Sequence, residues 1–242
     1  MHRQYHKWFS PNLNREMELL IFGHGGTRVL VFPTRRGRFF DYENFGMVGA
    51  LEDVLRSGGL QLYCVDSVDA ESLYNTHCHP RQRICRHIQY EQYILREVLP
   101  LSERINPHSY LIAHGCSMGA FHAVNLAFRH PQLFVKVVGL SGRYDLTRPT
   151  AEFRDLFDGH YDNDVYFHTP NHFLPKLADE SILGWIRRMH IVLVTGVHDP
   201  FLESNQNLSA ALWSKQIANT LHVWDGRAHQ ALYWQQMVRY YL

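Results

Sequence analysis

Between a short apolar run at residues 109–114 and a segment of helical character at 120–129 stands Gly115-Cys116-Ser117-Met118-Gly119. Few architectures put these pieces together. The pattern G-x-S-x-G is common by itself. A buried strand entering it and a helix leaving it predict a serine on a tight, strained turn, with its hydroxyl projecting from a sheet edge. The flanking glycines keep side chains out of a turn where the strand and helix backbones crowd. The helix N-terminus then sets a positive partial charge beside any oxyanion that develops. The competing reading is a serine that only caps the helix. Cys116 occupies the slot before the apex, where a side chain turns into the core, so Ser117 is the expected nucleophile.

Apolar runs of strand length at 18–22, 28–33, 60–65, 109–114, 135–140, 191–195 and 220–224 alternate with segments of helical spacing. Those segments lie at 42–57, 82–99, 120–129, 203–218 and 231–240. Such alternation is the signature of a parallel sheet with crossover helices. Gly23-His24-Gly25-Gly26 reads as a hairpin turn with His24 exposed. Gly58-Gly59 ends one helix, and Pro100 closes the 82–99 helix. An antiparallel start followed by βα alternation is the order of an α/β-hydrolase fold, with a mostly parallel central sheet and helices on both faces. At 242 residues the chain suits one such domain, 1–242. Residues 143–183 interrupt the pattern and read as a lid-like insertion above the strand C-termini. Tyr144, Phe153, Phe157, Tyr161, Tyr166, Phe167 and Phe173 in it either line a pocket or pack the lid, and spacing does not separate the two.

A serine hydroxyl needs a neighbouring imidazole to accept its proton. In this fold the partners follow in the order acid, then histidine, on loops after later strands. Asp199 follows the 191–195 run, and His229 follows the 220–224 run and precedes the last helix. They are the expected acid and base. Asp199 before Pro200 also suits a simple turn. Asp225, the rival acid, stands in an Asp-Gly turn too near His229 to need its own loop, and His222 is mid-strand. The backbone amide of Met118 is the expected first oxyanion donor, and the second is the amide of Thr34 or Arg35, in the loop after the 28–33 strand. Gly23-His24-Gly25-Gly26 looks like an oxyanion motif but precedes that strand. The Arg35 side chain is placed either to touch an acidic or polyhydroxyl part of a substrate or merely to solvate the loop.

Composition narrows the partners. With 24 basic and 23 acidic residues the formal charge is +1, which gives no global field for nucleic acid. No apolar run approaches the roughly 20 residues of a membrane span, and the first residues lack the apolar stretch of a secretory signal. Cys64, Cys78, Cys85 and Cys116 show neither CxxC spacing nor disulfide-scaffold density. A cytoplasmic protein with reduced thiols is expected. Among 17 histidines, His77-Cys78-His79 is the densest cluster, but Pro80 follows it and no second ligand pair accompanies it, so a loop or helix entry is expected rather than a metal site. No cofactor is expected, and the partner is a small acyl ester.

These residues resemble the Putative esterase branch of the α/β-hydrolases, which includes esterase D, feruloyl and enterochelin esterases and the mycolyltransferases. The resemblance runs through the strand at 29–32, Phe45-Gly46-Met47, the 115–119 turn, Leu140-Ser141-Gly142 and the stretch from His229 to Trp234. It implies Ser117, Asp199 and His229 as a triad, and Met118 with Arg35 or Thr34 as oxyanion donors. The 33–38 loop departs from the pattern, lacking the paired small residues of relatives. Hydrolysis of a carboxylic ester or thioester is the implied activity. Transfer of the acyl group to an alcohol, or a catalytically silent binding protein, are the alternatives.

Overall fold

The computed structural model describes residues 2–242. Among these, eight strands form one sheet: β1 (Arg3–Ser10), β2 (Arg15–Phe22), β3 (Thr27–Phe32), β4 (Leu60–Val65), β5 (Leu111–Cys116), β6 (Lys136–Leu140), β7 (His190–Gly196) and β8 (Thr220–Trp224). Their order is β1-β2-β4-β3-β5-β6-β7-β8. β2 is antiparallel to both β1 and β4, and all remaining pairs are parallel. The helices are α1 (Asp41–Asn44), α2 (Met47–Ala50), α3 (Glu52–Arg56), α4 (Pro80–Tyr93), α5 (Leu99–Ile105), α6 (Met118–Arg129), α7 (Asn163–Phe167), α8 (Pro170–Lys176), α9 (Glu180–Ile186), α10 (Leu202–Ser214) and α11 (Ala231–Tyr241). This is the α/β-hydrolase fold.

Successive strand residues point to opposite faces, so each strand feeds two cores. Leu19, Ile21, Leu30, Phe32 and Tyr63 pack with α4, α6 and α10. Leu20, Phe22, Val29, Val31 and Leu62 pack with α1 to α3 and α11. α6 is buried throughout from Met118 to Phe128, apolar on most of its faces but with His122 and Asn125 among the buried residues. It lies on β3, β5 and β6, the middle of the sheet.

The antiparallel start holds, but its details differ from the sequence reading. β1 was not expected. Its alternate residues Arg3, Tyr5, Lys7 and Phe9 are exposed, so it carries no apolar run. Gly23-His24-Gly25-Gly26 is not a hairpin turn, because β4 lies between β2 and β3. The segment instead crosses the start of β4. A Cβ on Gly23 would lie 2.6 Å from the Leu60 carbonyl oxygen, and one on Gly26 2.2 Å from that of Gly58. Close backbone approach demands these glycines. His24 is exposed as expected.

Residues 42–57 form three short helices, with Gly46 at φ 70° separating the first two. Pro100 does not close its helix. A wide π-helical turn at Ile94–Val98 leads directly into α5, with Pro100 in the first turn. Proline lacks an amide and its ring collides with the carbonyl four residues back; widening the turn relieves both.

Residues 143–183 span α7, α8 and the start of α9, between the neighbouring strands β6 and β7. Tyr144, Phe157 and Phe173 are buried, while Tyr161 and Phe167 are exposed. Tyr144 fills the space beside β6 left by Gly139 and Gly142, where any Cβ would lie within 2.3 Å of its ring or hydroxyl.

Candidate active site

Ser117 lies at φ 56°, ψ −117°, a conformation that costs an L-residue about 1–3 kcal/mol. The surroundings enforce it. The Ser117 amide donates to the Leu140 carbonyl (2.8 Å), and its own carbonyl accepts from the Ala120 amide (3.1 Å). A Cβ on Gly115 would stand 2.3 Å from the carbonyl carbon of Gly119, and one on Gly119 2.3 Å from the Phe32 carbonyl oxygen. β5, α6 and the end of β3 meet this closely only because both positions are glycine. α6 begins at Met118, so its first amides have no intrahelical carbonyl and carry the positive end of the helix dipole. Cys116 points into the core, where burial pushes its thiol far above the ordinary value. It stays a neutral thiol.

Asp199 and His229 converge on Ser117 from the ends of β7 and β8. The Asp199 side chain is buried completely. Its Oδ1 accepts from the Phe201 amide (2.9 Å), and its Oδ2 lies 3.1 Å from His229 Nδ1. His229 Nε2 is 3.0 Å from Ser117 Oγ. A carboxylate only accepts, so Nδ1 carries the proton and donates, which leaves Nε2 free to accept from the serine hydroxyl. Such a chain can draw a proton off the serine as its oxygen attacks. Asp225 is exposed in a turn with Gly226 at φ 76°, His198 is exposed, and His222 stacks on Tyr241.

The strand ends are stitched to one another past the strands themselves. The Ser141 amide donates to the Val194 carbonyl (2.7 Å), and the Val197 amide to the Trp224 carbonyl (2.9 Å). Sequence reasoning missed what holds the histidine loop. Ser141 takes a left-handed φ of 54°, donates to the Ala228 carbonyl (3.4 Å) and accepts from the Trp234 indole (3.2 Å). A Cβ on Gly196 would meet the Arg227 carbonyl oxygen at 2.4 Å. Leu140-Ser141-Gly142 was a visible strand end, but nothing local marked Ser141 as a support.

Thr34, Arg35 and Met118 line the same cleft as Ser117 and His229, which encloses about 260 Å³. Phe45, Phe153, Phe201 and Trp234 give it apolar walls. The loop carrying Thr34 and Arg35 is fixed from below by Asp69, whose Oδ2 accepts from the Arg36 amide (3.1 Å) and whose Oδ1 lies 3.0 Å from His122 Nε2 on α6. Asp69 and His122 are buried and far apart in sequence, so no spacing announced them. His79 caps α4, accepting from the Arg81 amide at Nδ1 (3.1 Å). The His77-Cys78-His79 cluster is thus a helix entry, and among the described residues no three potential metal ligands group together.

Residues 40–238 match the sequence profile of the family described as Putative esterase. The chain belongs to that family. Solved structures share the esterase's fold across nearly its whole length. One is a ferulic acid esterase, at 17% identity over 98% of this chain and 95% of the other, with a TM-score of 0.76. Another is an S-formylglutathione hydrolase from Staphylococcus aureus, at 15% identity over 99% and 97%, with a TM-score of 0.74. An enterobactin esterase from Shigella flexneri is 21% identical over 97% of this chain but only 56% of its own, with a TM-score of 0.63. No curated protein matches the sequence. No helix among the described residues is long and apolar enough to cross a membrane.

Proposed function

We propose that this esterase cleaves a small carboxylic ester or thioester through an acyl-enzyme, with Ser117 as nucleophile, His229 as general base and then acid, and Asp199 orienting the imidazole. The observation that carries the reading is the unbroken chain from Ser117 Oγ to His229 Nε2 (3.0 Å) and from His229 Nδ1 to Asp199 Oδ2 (3.1 Å). As Oγ adds to the acyl carbon, its proton passes to Nε2, and the carbonyl oxygen becomes an oxyanion. The amide of Met118, with that of Thr34 or Arg35, is assigned to that oxyanion. Collapse expels the alcohol or thiol, which leaves with the proton held on Nε2. Water, deprotonated by the same nitrogen, then releases the acid.

Residues 143–183 are taken as an insertion within one catalytic domain, 1–242, that supplies part of the cleft wall through Phe153. A cytoplasmic setting is supported by the four cysteines, all free. The test is labelling by a fluorophosphonate together with turnover of 4-nitrophenyl acetate. Wild-type protein is expected to do both, and Ser117→Ala neither. Wild-type protein that resists the probe, or a variant that still turns over, overturns the assignment.

A further inference from the structure

Arg143 also lines the cleft that holds Ser117 and His229, although it is only 3% exposed. Its Nε donates to the Asp145 carbonyl (3.2 Å), and its Nη2 to the carbonyls of Leu146 (3.4 Å), Arg148 (2.8 Å) and Arg154 (2.7 Å). These contacts fix the guanidinium plane 5.8 Å from the centre of the Phe201 ring, and Phe201 packs on His229 with ring centres 5.5 Å apart. Nη1 is buried and has no partner.

The nearby carboxylates are engaged elsewhere. Asp145 pairs with His172 (3.1 Å), and Asp155 accepts from the amides of Phe157 and Gly159 (2.7 Å each). A buried cation with an idle donor is expensive to maintain in a folded chain. Arg35 stands in the same cleft, its guanidinium 6.0 Å from the Tyr74 ring centre and 5.8 Å from that of Phe153. No aspartate or glutamate lines the cleft around Ser117, and Glu152, which lines its continuation past Arg35 and Arg143, is paired with Arg227. In a chain of net charge +1, two arginines whose neighbouring carboxylates Asp145, Asp155 and Glu152 have other partners line the cleft of the reacting serine.

We propose that the natural substrate carries a fixed oxyanion, a carboxylate or a phosphate, bound between Arg143 and Arg35 beside the scissile ester. The proposal rests on Ser117 being the nucleophile. A planar guanidinium already held by four carbonyls meets an oxyanion with little further ordering, and a neutral analogue leaves Nη1 idle.

The experiment compares kcat/KM within matched pairs. The acyl arm uses 4-nitrophenyl pentanoate against the 4-nitrophenyl half-ester of glutarate. The leaving-group arm uses the butyrate ester of methyl 4-hydroxybenzoate against that of 4-hydroxybenzoate. Glutarate and inorganic phosphate, as competitive inhibitors of pentanoate turnover, separate carboxylate from phosphate recognition. Wild-type protein is expected to favour the charged member of at least one pair by about tenfold or more. That ratio should fall to near one in Arg143→Met and decline in Arg143→Lys. Arg143→Met leaves four carbonyls without their donor, so Arg35→Gln, at an exposed position, provides a second reading of the ratio and is expected to lower it. No charge preference in either arm together with no inhibition by either anion, or a preference unchanged in every arginine variant, overturns the inference while leaving Ser117 in its role. Turnover of no ester at all removes the serine reading and this inference together.

Discussion

Gly119→Ala tests whether the turn and the loop after β3 are one mechanical unit. The new Cβ would stand 2.3 Å from the Phe32 carbonyl oxygen and 2.7 Å from that of Pro33. Real Cβ atoms keep at least 3.0 Å from such neighbours, so the end of β3 must retreat by about 0.7 Å or α6 must lift by as much, as overpacked sites do. Both contacts are backbone, and neither can swing aside. Phe32 and Pro33 lead directly into Thr34 and Arg35, so the displacement falls on the proposed second oxyanion donor. Overpacking of this kind costs about 1–3 kcal/mol, which for a chain of this size is a Tm lowered by roughly 2–12 °C. A misplacement approaching 1 Å at the reacting centre costs about a hundredfold in kcat. The assay is turnover of 4-nitrophenyl butyrate beside thermal unfolding followed by circular dichroism. Gly184→Ala is the control. It lies within α9 with nothing within 4 Å of its added Cβ, and should gain up to about 1 kcal/mol with activity unchanged. Gly119→Ala that keeps kcat within threefold of wild type and does not melt earlier refutes the coupling.

The strain at Ser117 makes a second expectation: Ser117→Gly abolishes turnover yet raises stability by about 1 kcal/mol, seen as a higher denaturation midpoint in urea. A midpoint at or below that of Ser117→Ala would contradict it. The third concerns acid. His114 is fully buried, and burial lowers its pKa from 6.5 to about 4 although Nδ1 lies 2.9 Å from the Val138 carbonyl oxygen. Its unfolded form binds a proton more readily, so its contribution is present above pH 6.5 and is lost as pH falls toward 4, to the extent of about 3 kcal/mol. His114→Phe should flatten the fall in stability across that window, and parallel pH profiles for the two proteins would count against the assignment.

What the sequence disclosed follows from how local the signals were. Ser117, Asp199 and His229 each stand in a short loop directly after an apolar run, so element order alone put them at one edge of the sheet. The position of β4 between β2 and β3 is a non-local choice, and Gly23 to Gly26 look alike whether they reverse a hairpin or cross a neighbouring strand. Pro100 carries the usual stop signal, and only the wider turn before it shows how the helix continues. Asp69 with His122, and Ser141 with Ala228, are contacts across the fold that leave no spacing to read. Arg143 reads as one more surface cation until its surroundings are known, because burial is a property of the packed chain.

The rungs that continue past the strand ends have a consequence for durability. Ser117 is fastened to Leu140 and Ser141 to Val194, on interior strands, whereas Val197 is fastened to Trp224 on the edge strand β8, so the serine loop is tied to the middle of the sheet and the loops of Asp199 and His229 to its margin. Warming is then expected to loosen the acid and histidine loops with β8 before the middle of the sheet gives way. Residual activity is on that account a lower bound on how much folded protein remains.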